Sequence, residues 1–266
     1  MKKLHIGESV YELPGTMDEM KLSELIFLSD LVSQEIPIQE VKIKMLLNSI
    51  GGHLVKPKSE GFHRLRIGKK TFEFSTEDMT KVSAAFDYLF TAPDKDGCCF
   101  LDNRLLTNHY SEIEIDGITF YGPGKALEGT TYDQYIYLQV YDQIKERKPE
   151  AIYNWLGCLF LREKGKFNKD ELNVEYMKLL PPEAIILCFW YWIGSCRAIA
   201  DKFPRIFPEV EAGEVQNIYD GQQKLLDYIA KADPAKKQQY KQDELYNILY
   251  SLDYLLEIEE EKDTDS

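Results

Sequence analysis

A thiol beside an imidazole is the nearest this sequence comes to a catalytic constellation. Cys98 and Cys99 are adjacent, Asp102 follows them, and His109 is close behind. A Cys–His pair would activate a thiolate nucleophile. The surrounding "PDKDGCCF" reads as a turn followed by a strand or a buried segment. Neighbouring cysteines rarely point at one centre, so the competing reading is two small, partly buried residues beside a loop. The four histidines, His5, His53, His63 and His109, all precede residue 110, and no pair has the HxxxH spacing. Zinc needs about four converging ligands, and this spacing supplies no such set. GxSxG, SxxK and HExxH do not occur. With 45 Asp and Glu in the chain, close carboxylate pairs say nothing about acid–base roles. The sequence thus predicts no cofactor, no metal and no catalytic group.

"YGPGKALEGTT", Tyr121 to Thr131, resembles a phosphate cradle at first sight. A Walker A loop needs GxxxxGK followed by Ser or Thr. Thr119 stands where the first glycine belongs, and Ala126 follows Lys125, so the hydroxyl that would hold magnesium is missing. The segment reads instead as the corner of a fold. Gly122, Pro123 and Gly124 turn the chain, and Thr130 or Thr131 caps the next helix.

Three stretches carry recognition chemistry rather than catalysis. "KPKSEGFHRLRIGKK", Lys56 to Lys70, is basic, and the candidate contacts in it are Arg64, Arg66, Lys69 and Lys70. On a hairpin, Arg64 and Arg66 share one face, away from Leu65 and Ile67. That face fits nucleic acid or an acidic protein surface; the alternative is a charged sheet edge that resists strand pairing. "CFWYWIG", Cys188 to Gly194, would line a pocket or, at helical spacing, fill a core. Leu245, Ile248, Leu249, Leu252, Leu255 and Leu256 form the cleanest helical stripe. Such a stripe can dock into a partner's groove or pack within its own chain.

The elements that would position these residues follow from turn and periodicity signals. "IGESVYEL", "IGKKTFEF" and "DGITFYGP" each centre on a glycine flanked by alternating residues, which predicts three β-hairpins; Asp116-Gly117 has the type I′ signature. Each is followed by a helix start. Thr16–Glu19 and Thr131–Gln134 have the capping-box form, and Ser75–Asp78 is a weaker version. The first and third units align at an offset of 110, so that Leu25-Ile26-Phe27-Leu28 falls on Tyr135-Ile136-Tyr137-Leu138. That is either duplication or a common motif reused.

The second half reads as helical. Ile152, Trp155, Leu156 and Leu159 share a face. Pro181-Pro182 opens an all-apolar helix, and Pro204 and Pro208 break the chain again. Val215, Ile218, Tyr219, Leu226 and Ile229 make another face, and Pro234 starts a last helix that ends in the acidic "EIEEEKDTDS". The expected fold is α+β, mainly helical, with about three short hairpins each followed by helices. Residues 1–110 form a hairpin-plus-helix domain, 111–256 a mainly helical one, and 257–266 a disordered acidic tail.

The net charge is −13, of which −2 falls in residues 1–110 and −11 in residues 111–266. This field repels phosphate backbones and disfavours nucleic acid. Five cysteines without a CxxC spacing, and no apolar segment behind Lys2 and Lys3, predict reduced thiols in a cytosolic protein. "AIILCFWYWIGSC", Ala184 to Cys196, is shorter than the roughly 20 residues of a membrane span. It is expected to be a helix buried on all sides in a soluble protein.

"ELPGTMDEMKLSELIFLSDL", "YGPGKALEGTTYDQYIYLQVYDQI" and "LFLREKGKFN" together carry a resemblance in patches over residues 10–207. They resemble segments of small proteins from tail gene clusters of Bacteroides-type phages and prophages. Those proteins open with Leu-Pro and an aromatic position ahead of a helix. Here Met17 takes the aromatic position, and Met20-Lys21 departs from the pattern. The resemblance implies a non-enzymatic interaction protein of a phage or mobile element, a tail assembly chaperone or virion component. Its implied partners are other tail or virion proteins, with an oligomer possible and no membrane. Its implied place is the bacterial host cytoplasm or the virion.

Overall fold

The computed structural model describes residues 1–55, 61–145, 148–208 and 218–264. The chain forms two compact units, Met1–Leu105 and Leu106–Ser266. The boundary falls at residue 105 rather than 110. The fold is α+β and mainly helical, with small antiparallel sheets.

The first unit opens with a hairpin of β1 (Lys2–Ile6) and β2 (Ser9–Leu13), joined by Gly7-Glu8. Two helices follow, α1 (Leu22–Ser33) and α2 (Ile38–Ser49), and then a sheet of β3 (Gly52–Val55), β4 (Phe62–Ile67) and β5 (Lys70–Ser75) in that order. The helix α3 (Thr76–Ser83) follows, and a 3₁₀ helix over Ala84–Leu89 continues directly from it. Leu25, Leu28, Met45, Leu46, Leu65 and Phe86 are buried and form the core.

Ser75 is the true capping box: its Oγ accepts from Asp78 N at 3.1 Å, and Asp78 accepts from Ser75 N at 3.4 Å. The Thr16 box does not form. Thr16 makes no side-chain cap, and the Glu19 carboxylate accepts from Gly15 N at 2.6 Å instead. Only a 3₁₀ turn results, and α1 begins later, where Lys21 N donates to Glu24 at 2.9 Å.

The second unit repeats this opening. Its hairpin joins β6 (Glu112–Ile115) to β7 (Ile118–Tyr121) through Asp116-Gly117, both at positive φ (51° and 73°) as a type I′ turn requires. A 3₁₀ turn at Lys125–Leu127 precedes α4 (Tyr132–Ile144), which starts 110 residues after α1. Thr131 Oγ1 caps α4 by accepting from Gln134 N at 3.2 Å; Gln134 does not complete the box, because its amide donates to Cys158 O at 2.7 Å. The helices α5 (Ala151–Leu159), α6 (Val174–Met177), α7 (Pro182–Lys202), α8 (Ile218–Ala230), α9 (Pro234–Gln242) and α10 (Leu245–Thr264) follow.

Three expectations change here. The helix from Pro234 is two helices, since residues 243–244 are extended and pair with the start of α4: Tyr132 N donates to Asp243 O at 3.0 Å and Leu245 N to Thr130 O at 2.8 Å. The acidic end is not a disordered tail but continues α10 to Thr264. Asp253, Glu257 and Glu260 recur on one helix face and converge on Arg205, at 3.4, 3.3 and 3.1 Å. Finally, α7 is long and apolar enough to cross a membrane by length and composition, and half of its apolar window is buried in the fold. It is therefore not enclosed on all sides; Ile193 is 49% exposed. Val215 and the 209–217 stretch lie outside the described residues.

Asp133, in the first turn of α4, gives a pH test. Burial holds its carboxyl above the usual carboxylate range, against the pull of Lys241 and Lys169. The folded state then binds this proton more tightly than the unfolded chain, so ionisation disfavours folding. The penalty is absent below the unfolded value of about 3.9 and complete above the raised folded one. Asp133→Asn is expected to raise the melting temperature at neutral pH, with the gain vanishing by about pH 3.

Candidate functional site

The first unit carries an open apolar groove of about 900 Å³. Two amphipathic helices and a strand make it. From α1 come Phe27 and Leu31, from α2 Ile43 and Leu47, from their connection Pro37, and from β3 Gly52, His53 and Leu54. Gln34, Gln39 and Asn48 are polar rim groups, with an ion pair between Glu40 and Lys44 at 2.9 Å. Leu54 is 45% exposed. At Gly52 the missing side chain leaves room for Leu65, whose Cδ1 would stand 2.8 Å from a Cβ there.

The groove follows the rim of β3 rather than one face of the sheet. Residues 52, 53 and 54 are consecutive, their side chains alternate between faces, and all three line it. The strand is last in its sheet, and among the described residues its backbone bonds only to β4. Sequence reasoning misses β3. Its signal is a four-residue run, "GHLV", after a Gly-Gly break, too short to separate from a turn.

That extra strand also changes the basic patch. Arg64 and Arg66 do share a face, but β4 lies in the middle of the sheet, so they do not guard an edge. Arg64 pairs with Glu73 at 3.5 Å. Arg66 is exposed, flanked by His53 on β3 and Thr71 on β5. Lys69 sits in the β4–β5 turn, and Lys70 is paired with Ile67, on the opposite face from Arg66. Lys56 and Lys58 lie outside the described residues.

In the second unit the leucine stripe is spent inside the fold. Leu245, Ile248, Leu249 and Leu252 are buried at 2% exposure or less. Leu255 and Leu256 are half-buried. The four buried side chains are covered within the unit, so there the periodicity serves packing inside the chain. The aromatic rings of "CFWYWIG" likewise pack inward, with Phe189 stacked on Trp155 at 4.4 Å, while Ile193 stays exposed.

Cys98 is exposed and Cys99 half-buried in the first unit, whereas His109 belongs to the second. Among the described residues no group of three His, Cys, Asp or Glu is placed to hold a metal ion. Burial pushes the thiols of Cys158, Cys188 and Cys196 up. Iodoacetamide at neutral pH is therefore expected to label Cys98 first in the native protein and to reach Cys158 and Cys188 only after unfolding. Peptide mapping of the labelled sites checks this. Labelling of Cys98 far faster than a free thiol would revive the nucleophile reading.

The "YGPGKALEGTT" segment is a corner with a shallow 270 Å³ recess, lined in part by Gly122, Gly124, Glu128 and Lys164. Its Ala126 and Leu127 hold positive φ, 51° and 67°. Two tyrosines fasten it: Tyr191 bonds Gly124 O and Leu127 N, and Tyr246 bonds Ala126 O. No family model, curated protein or solved structure matches this chain.

Proposed function

We propose that the protein is a non-enzymatic interaction protein of a phage or mobile element, acting in assembly as a tail chaperone or virion component. The observation that carries this reading is the groove beside β3. Its wall is apolar side chains from three elements, and one of them, Leu54, is nearly half exposed. Open apolar surface of this kind, rimmed by polar groups, is characteristic of contact sites. The sequence resemblance to tail-cluster proteins supplies the class of partner, a tail or virion protein with apolar segments to be covered until assembly. The place of action is then the host cytoplasm or the particle.

Co-expression with tail and virion proteins from its own gene cluster tests the reading. Wild-type chain is expected to co-purify with one of them and keep it soluble. Leu54→Lys and Ile43→Asp, which place charge in the groove, are expected to weaken the complex at least about tenfold, since a desolvated charge costs more than about 1.4 kcal/mol. Co-purification unaffected by both changes would overturn the assignment of the groove, and no partner in the cluster would overturn the function.

A further inference from the structure

We infer that the groove takes an extended segment as an added strand on β3, and that this segment alternates apolar with acidic residues. The inference deepens the proposed function and rests on it.

Three observations converge. First, β3 ends its sheet and bonds only to β4 among the described residues, so the N–H and C=O groups that point away from β4 have no strand partner there. Such an edge is a template for another strand. Second, the usual protections are lacking in the strand itself. Gly52–Val55 contains no lysine and no proline, and it presents Leu54 at 45% exposure. Third, the two sides of β3 differ in chemistry. On one side Leu54 lies in register with Leu65 and Phe72, continuous with the apolar wall of Ile43 and Leu47. On the other side His53 lies in register with Arg66, which makes no ion pair with another described residue.

An added strand sends successive side chains to opposite faces. One set would fill the apolar groove. The other would stand beside His53 and about 10 Å from β4, two strand spacings away. An extended arginine and a glutamate span that distance between them, so acidic residues on that face would meet Arg66. A helix laid in the same groove would satisfy the apolar wall but leave the β3 backbone and Arg66 unused. The ligand chemistry is therefore an acidic–apolar alternating strand.

The probe is a fluorescent octapeptide of alternating valine and glutamate, offered to the full chain. Two controls accompany it: alternating valine and lysine, and the valine–glutamate composition reordered to helical period. Anisotropy should show the first binding at least about tenfold more tightly than either control, the difference of roughly one favourable charge contact and a matched register. Hydrogen exchange at Gly52–Val55 should slow on binding. Arg66→Glu, at an exposed site, should weaken the valine–glutamate peptide and strengthen the valine–lysine one, a reversal that misfolding cannot mimic. Equal binding of the helix-ordered peptide with unchanged exchange in β3 would overturn the strand and leave the groove function standing. Absence of binding by all three peptides, while a tail protein still depends on Leu54, would overturn the alternating chemistry. Loss of both would overturn the inference and the proposed function together.

Discussion

Replacing Trp155 with alanine is expected to destabilise the second unit by about 3–5 kcal/mol, as large aromatic truncations in well-packed cores do. Trp155 is fully buried on α5. It stacks on Phe189 at 4.4 Å with the rings 6° from parallel, and meets Trp192 edge-on at 6.1 Å; Trp192 in turn contacts Tyr135 at 5.9 Å. The truncation would thus empty the junction of α4, α5 and α7, whose helical backbones cannot collapse to fill it. The indole Nε1 limits the loss. It is buried without a hydrogen-bond partner, and an orphaned donor costs about 1–3 kcal/mol. Trp155→Phe keeps a stacked ring and removes that donor, so it is expected to cost much less than Trp155→Ala. Urea unfolding followed by fluorescence checks both, because Trp155, Trp190 and Trp192 are the chain's three tryptophans and all lie in the second unit. The signal then reports that unit alone, which matters for a chain of two units that need not unfold in one step. Equal losses for the two variants would mean that the stacking contributes little.

This junction is partly legible in the amino-acid sequence. Ile152, Trp155, Leu156 and Leu159 repeat at helical spacing, and the apolar run after Pro182 implies a core helix; hairpins are legible because Gly7, Gly68 and Asp116-Gly117 are local turn chemistry. Local signals fail where a competing contact, near or distant, decides the outcome. Glu19 has the look of the far half of a capping box, yet it satisfies Gly15 N, so the helix start moves to Lys21. The acids after Leu256 read as a solvated tail, but they continue α10, where Glu257 and Glu260 pair with Arg205, some fifty residues away in sequence. The leucine stripe shows where a helix is apolar but not what covers it, and the cover is the second unit's own core. The groove is the least legible part. It needs β3, four residues long, to be set against α1 and α2, and no periodicity reports that juxtaposition.

Tyr191→Phe is expected to cost about 1–3 kcal/mol, more than the loss of one exposed hydroxyl would suggest. The Tyr191 hydroxyl accepts from Leu127 N at 2.9 Å and donates to Gly124 O at 2.7 Å. Leu127 is fully buried, so its N–H has no water to turn to when the hydroxyl is gone. Burial also pushes the phenol's pKa up, which keeps the proton needed for the bond to Gly124 throughout the neutral range. The strain of the loop adds to the argument. Ala126 and Leu127 both carry a β-carbon at positive φ, a conformation costing about 1–2 kcal/mol per residue, and it persists only where neighbours over-determine it. Tyr246, at 2.8 Å from Ala126 O, is the second fastening, and it is half-buried, so Tyr246→Phe is expected to cost less. The opposite sign is expected at Ala126→Gly: glycine adopts positive φ without penalty, and the variant should be more stable by up to about 1 kcal/mol despite the greater entropy of the unfolded chain. Denaturation of the three variants separates the contributions. If Tyr191→Phe proved neutral while Ala126→Gly still stabilised the protein, the corner would be held by packing and not by its hydroxyls. "YGPGKALEGTT" invites a nucleotide reading because glycine, lysine and threonine crowd together. In the fold the glycines and the strained Ala126-Leu127 pair make a turn tight enough for one buried tyrosine to bond both of its arms.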